Sequence, residues 1–156
     1  NSHAPFAVDD LLVEPFPVPH DAREPAQFAF TDGARRLGWV TDLGCATDHV
    51  EAVLRRCDAL VLECNHDPDL LADGRYPPTL KRRVGGDRGH LNNFQAAGLL
   101  QRLDTDRLQH LVAAHLSEKH NTPELARMIL SDTLGCSSQW IGVMGQEEGL
   151  EWRDVV

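Results

Sequence analysis

Apolar residues follow two rhythms along this chain. Up to position 41 they come in short runs, at 11–18, 27–31 and 37–41, parted by Pro19 and by Asp32-Gly33. Runs of this length bounded by turn residues predict strands. From Thr47 the spacing changes: Val50, Val53 and Leu54 recur at helical intervals behind Thr47 and Asp48, either of which caps a helix start, which predicts a helix of about ten residues. Ala59-Leu60-Val61-Leu62 then reads as a buried strand. Positions 67–103 alternate short helices and loops, broken by Pro77-Pro78 and Gly85-Gly86, with a better helix at 93–103 whose Asn92 and Gln95 have capping-box spacing. A strand at 110–114 precedes the clearest helix, 121–134. That helix has Asn121 as its cap, Pro123 early, and Leu125, Met128 and Ile129 along one face. A last strand is expected at 139–143. Strands alternating with helices imply an α/β layered architecture.

Composition narrows this picture. At 156 residues and 42% hydrophobic content, the chain is long enough for a single domain with a real core. No apolar run approaches the roughly 18 residues that span a bilayer, and residues 1–10 have neither a basic start nor an apolar stretch, so a cytoplasmic protein without membrane contact is expected. Cys45, Cys57, Cys64 and Cys136 form no CxxC pair and read as free, mostly buried thiols. A net charge of -9 argues against nonspecific coating of nucleic acid, which depends on Lys and Arg. It leaves room for a local basic groove. Lys81, Arg82 and Arg83, followed by Arg88, form such a cluster, although a charge run is more often a solvated helix face.

Polar clusters fall at or just after the expected strand ends, the rim on which layered α/β folds assemble sites. They are Pro19-His20-Asp21, Thr41-Asp42-Leu43-Gly44, Glu63-Cys64-Asn65-His66-Asp67 and His115-Leu116-Ser117, with Gly89-His90 in a loop entering a helix. Singly, each has an ordinary explanation. His20 reads as a loop histidine bonded to backbone, Asp42 as a turn residue before Gly44, His115 as a satisfied core histidine and His90 as part of a helix-start turn. Glu63 closing an apolar strand is more unusual, because a buried carboxylate needs a cation or donors. Taken together, His20, Asp42 and His115 supply ligand types that suit Zn²⁺ or Mn²⁺, and Glu63 with His90 makes a proton-transfer or ligand-orienting pair.

Five stretches, FPVPHDAREP (16–25), WVTDLG (39–44), LVLECNHD (60–67), GRYPPTLKRRVGGDRGHLNN (74–93) and LVAAHLSEKHNTPELA (111–126), give the chain a specific likeness. In this order they resemble the second half of metallo-β-lactamase-fold hydrolases, most of all the WalJ/YycJ-type DNA exonuclease branch and more distantly RNase Z. The resemblance implies the C-terminal half of an αββα sandwich. It also implies a dinuclear site of two divalent ions, Zn or Mn, for a phosphodiesterase or DNA exonuclease. Metal ligands would be His20, Asp42 (the bridging carboxylate) and His115, and Glu63 and His90 the catalytic pair beside the scissile phosphate. Lys81, Arg82 and Arg83 would contact the DNA backbone, and Asn65, His66, Asp67, His120 and Asn121 would line the site.

One departure is the superfamily's HxHxDH motif, which is absent: among the eight histidines no two are separated by a single residue. The expectation is therefore that this motif precedes residue 1, that the chain alone holds metal partially or not at all, and that an exposed sheet face or edge drives it to form homo-oligomers. Two further readings stay open on the same residues. One is a hydrolase of small-molecule esters, thioesters or phosphonate esters, since fold does not fix substrate. The other is a catalytically silent half-domain that binds or assembles.

Overall fold

A computed structural model describes residues 4–156; residues 1–3, the start of the segment read above for a leader, lie outside the described residues. Seven strands form one sheet in strict chain order. They are β1 (Phe6–Val8), β2 (Leu11–Pro17), β3 (Ala26–Thr31), β4 (Arg36–Val40), β5 (Ala59–Glu63), β6 (His110–Ala114) and β7 (Gly142–Val143). The first four pair antiparallel and the last three join them in parallel. Parallel neighbours need crossovers, and helices supply them. α1 (Asp48–Leu54) links β4 to β5. α2 (Pro68–Asp73), α3 (Pro78–Val84) and α4 (Asn93–Arg102) lie between β5 and β6, and α5 (Pro123–Leu134) between β6 and β7. Because parallel crossovers are right-handed and the strand order never reverses, these helices belong on one face of the sheet.

The main core lies on that face. Val50 and Leu54 of α1, Ala96, Leu99 and Leu100 of α4, and Ala126 and Leu130 of α5 pack on Val40, Leu60, Leu62, Leu111 and Ala113. The opposite face carries a smaller buried cluster of Val61, Val112 and Ala114, edged by Leu37, Trp39, Met144 and Leu150. The four cysteines are free; Cys57 and Cys64 are buried, Cys45 and Cys136 half-buried. Among the described residues, no helix is long and apolar enough to cross a membrane.

Several expectations shift in detail. α1 has seven residues rather than about ten, because Arg55 turns extended and Arg56 takes a left-handed φ of 58° ahead of β5. Thr122, not Asn121, caps α5, and Met128 is exposed, so Ala126 and Leu130 carry its buried face. The strand expected at 139–143 is a 3-10 turn at Ser138–Trp140 followed by two paired residues. β1 went unforeseen, its three residues too few to show alternation. The Asn92/Gln95 capping box is present in full.

Candidate metal centre

Strand direction brings the polar clusters together. β2, β4, β5 and β6 all run the same way, so their C-terminal ends share one rim. His20 follows β2, Asp42 follows β4, Glu63 ends β5 and His115 follows β6; His90 enters from the loop before α4. Backbone bonds stitch the rim: Gly44 N–H donates to the Pro19 carbonyl at 2.7 Å, Asn65 N–H to the Leu91 carbonyl at 2.9 Å, and Ser117 N–H to the Asn65 carbonyl at 2.7 Å. Gly44 is needed here because a Cβ would overlap the Asp87 carbonyl, and Gly89 because a Cβ would overlap that of Val84.

Glu63 organises the site. Its side chain has no solvent exposure and accepts five hydrogen bonds. Oε1 accepts from Asp42 N–H at 3.1 Å, His90 Nδ1 at 2.8 Å and His115 Nδ1 at 2.6 Å. Oε2 accepts from Leu43 N–H at 2.9 Å and Leu91 N–H at 3.1 Å. Burial pushes this carboxyl up, but the bonds from His115 and His90 outweigh burial and hold it down at about 2, so it is ionised. The same bond raises His115, against the opposing effect of burial. An ionised carboxylate only accepts, so both imidazoles carry their proton on Nδ1 and leave Nε2 free for chemistry.

Asp42 stands at the centre of three imidazoles. Its Oδ1 lies 3.6 Å from His20 Nε2, 3.8 Å from His90 Nδ1 and 3.8 Å from His115 Nδ1, while Thr41 Oγ1 donates to Oδ2 at 3.3 Å. The His90 ring centroid is 5.1 Å from each of the other two. His20 Nδ1 donates to the Gly89 carbonyl at 2.9 Å, which turns Nε2 as an acceptor toward Asp42. Asp42 and His115 both adopt left-handed backbone, φ 50° and 56°. Asp and His tolerate that region better than most residues, and such conformations concentrate at functional sites. At Asp42 the twist aims two successive amides at Glu63.

The donor set fits a divalent cation. Asp42, Glu63, His90 and His115 each place one ligand-type atom within 4.8 Å of the others. Glu63 is already committed to five donors, so the atoms free to serve as ligands are the Asp42 carboxylate and the Nε2 atoms of His115 and His20, while His90 Nε2 is left for proton transfer. Imidazoles whose far nitrogen is fixed by a carboxylate or a backbone carbonyl are arranged as metal ligands commonly are.

Other residues singled out in the sequence lie around this centre rather than in it. Asn65 donates from Nδ2 to the His115 carbonyl at 2.9 Å and so steadies that twisted residue. His66 is only 2% exposed, beneath Gly85. Lys81 donates to the Ala72 carbonyl, Arg83 pairs with Asp21, and Arg82 is exposed on the same helix. Asn121 forms a reciprocal amide pair with Asn93, 2.9 Å both ways, and donates to the Cys64 carbonyl at 2.7 Å. Asp21, 3.6 Å from His20 Nε2, was not given a role; its position directly after His20 was the available signal.

The chain is 43% identical over 125 residues to the exodeoxyribonuclease YycJ of Bacillus anthracis, covering 80% of this chain and 47% of that protein. It is 32% identical over 134 residues to the exodeoxyribonuclease WalJ of Streptococcus pneumoniae serotype 2, covering 86% and 50%. The chain thus spans about half the length of these relatives. Its fold is similar to that of the metallo-β-lactamase fold protein YhfI from Bacillus subtilis, with a TM-score of 0.71 at 16% identity over 97% of this chain and 52% of that one. The profile of the beta-lactamase superfamily domain matches residues 1–115. With its rim of Asp and His on a mixed α/β sheet, the chain belongs to the beta-lactamase superfamily domain family, on the metallo-β-lactamase fold.

Proposed function

We propose that this chain forms part of the active site of a metal-dependent phosphodiesterase, an exonuclease acting on DNA, with a dinuclear site of Zn²⁺ or Mn²⁺. The observation that carries this reading is the Glu63 fork, which fixes His90 and His115 through Nδ1 beside Asp42. Its substrate class follows from the similarity to proteins named as exodeoxyribonucleases. His20, Asp42 and His115 are the residues that would hold metal. A divalent ion there supplies Lewis-acid charge at the phosphoryl oxygens and makes nucleophilic water available at neutral pH.

The chain's own groups do the rest. Glu63 locks two tautomers and places the Nε2 atoms of both imidazoles. With the Nδ1 proton held on Glu63 at 2.8 Å, His90 Nε2 is the atom that would take up a proton from water and pass it to the leaving oxygen, so the ring returns to its neutral form. Lys81, Arg82 and Arg83 meet the strand's phosphates and position it without reading sequence.

The test is degradation of a labelled DNA duplex with added Mn²⁺, beside a generic phosphodiester. His90→Ala is expected to slow DNA cleavage by about 10²–10⁴-fold. An unchanged rate removes the proton-donor role. Cleavage of the generic ester with no action on DNA would point instead to a small-molecule esterase.

A further inference from the structure

Beside His90 lies a cavity of about 380 Å³ that the catalytic reading does not use. Asn65, Tyr76, His90, Glu118, Lys119 and His120 are among its walls. Tyr76 is fixed in place: the His120 ring meets it edge-on with centroids 4.4 Å apart, and Lys119 Nζ stands 5.9 Å from its ring centroid. His120 is itself buried, with Gly74 pressed so closely against its ring that a Cβ would overlap it. The neighbouring larger cavity, about 440 Å³, shares Glu118 with it and adds Glu147 and Glu148 with no Lys or Arg, so it is the more repulsive of the two to phosphate. Of the two cavities, the one beside His90 is the one that offers an anion a lysine, Lys119.

We propose that the Tyr76 cavity is a nucleotide subsite, which takes the terminal nucleoside monophosphate of the strand with its base against the Tyr76 ring and its charge facing Lys119. The inference deepens the nuclease reading and rests on it for the source of the nucleotide. Three properties converge. The volume falls within the roughly 300–1,000 Å³ typical of small-ligand sites. The wall joins a stacking aromatic to a cation, the combination by which proteins hold single nucleotides without regard to sequence. His90, which the catalytic reading sets beside the leaving oxygen, is itself part of the wall, so the subsite adjoins the phosphate being cut.

Calorimetric titration of this chain with dAMP, 2-deoxyribose 5-phosphate and inorganic phosphate tests it. dAMP is expected to bind at least about tenfold more tightly than deoxyribose phosphate, the size expected of one stacked base. That margin should vanish in Tyr76→Leu and survive in Tyr76→Phe, while Lys119→Ala weakens both phosphorylated ligands. Equal binding of dAMP and deoxyribose phosphate, or a margin that survives Tyr76→Leu, overturns the proposal. Should Tyr76→Leu disturb the fold, Lys119→Ala carries the test on its own: unchanged binding there is equally contrary. The nuclease reading fails separately, since a protein that binds dAMP through Tyr76 yet cuts no DNA keeps the subsite and loses the activity.

Discussion

Glu63 has no route to solvent, so its charge is compensated only by the groups that touch it. Replacing it by Gln sets an amide NH₂ against some of the five donors, and breaking a buried charge network of this kind costs about 3–5 kcal/mol. Chemical denaturation of Glu63→Gln is expected to show a loss of that order; a loss below about 1 kcal/mol would mean that the fork is not a stabilising element. pH reads the same residues. Glu63 sits at about 2 against its ordinary 4.5, so it contributes stability above 4.5 that is lost as pH falls through that interval. His66 is pushed by burial from 6.5 to about 4, so the folded state stays neutral while the unfolded chain takes up a proton. His66 therefore withdraws stability as pH falls from 6.5 to 4, against the opposite contribution of the raised His115, and His66→Gln should shift the slope of that segment toward greater stability at low pH. A denaturation series with the same slope in both proteins would contradict this assignment. A carboxylate ending an apolar strand drew attention in the sequence, and so did its partner His90. His115 stood out as a ligand type, but that it and three amides converge on Glu63 was not legible, because bonds from distant segments leave no mark in residue type.

At the scale of elements, side-chain caps and amide pairs hold the rim in place. Asn92 caps α4 with both bonds of a capping box, and Asn92→Ala should cost about 1 kcal/mol. Asn121→Ala should cost more, because it strands the Cys64 carbonyl and the Asn93 amide in the interior at about 1–3 kcal/mol for each unsatisfied group. Equal losses in the two variants, measured by thermal melts, would mean that the Asn93–Asn121 pair is relaxed by water. Asn92 was legible because a cap acts over three residues. Asn121 looked like a cap for the same local reason, yet its partners lie 28 and 57 positions away, and Thr122 takes the cap. Local spacing likewise overextended α1 and read the 3-10 turn at Ser138–Trp140 as strand. A turn ends α1 at Leu54 and another delays the start of β7 to Gly142, and neither is marked in the apolar pattern.

Across the whole molecule, the sheet is covered unevenly. Register aligns Val13, Phe30, Leu37 and Ala59 in one row and Pro15, Phe28, Trp39, Val61 and Val112 in the next. Residues 150–156 cross part of this face, tied by His110 Nε2 to the Asp154 carbonyl at 2.8 Å and by Val156 N–H to Gln109 Oε1 at 2.8 Å. Phe28, 36% exposed, remains open. Apolar faces of this kind favour association. Sedimentation at micromolar concentration is expected to show species larger than a monomer, shifted toward monomer by Phe28→Lys; a monomer at all concentrations would contradict the expectation. The layered fold could be read from the alternation of strand and helix, but which face stays open depends on the strand order, which residue pattern alone does not give. The rim on the helix-covered molecule is what the function depends on, and metal binding interrogates it without assuming a substrate. Calorimetric titration with Zn²⁺ should give saturable binding, accompanied by proton release, that Asp42→Ala weakens at least about tenfold and Tyr76→Leu leaves unchanged. Binding of Zn²⁺ with the same affinity and proton release in Asp42→Ala would contradict a metal centre at this rim.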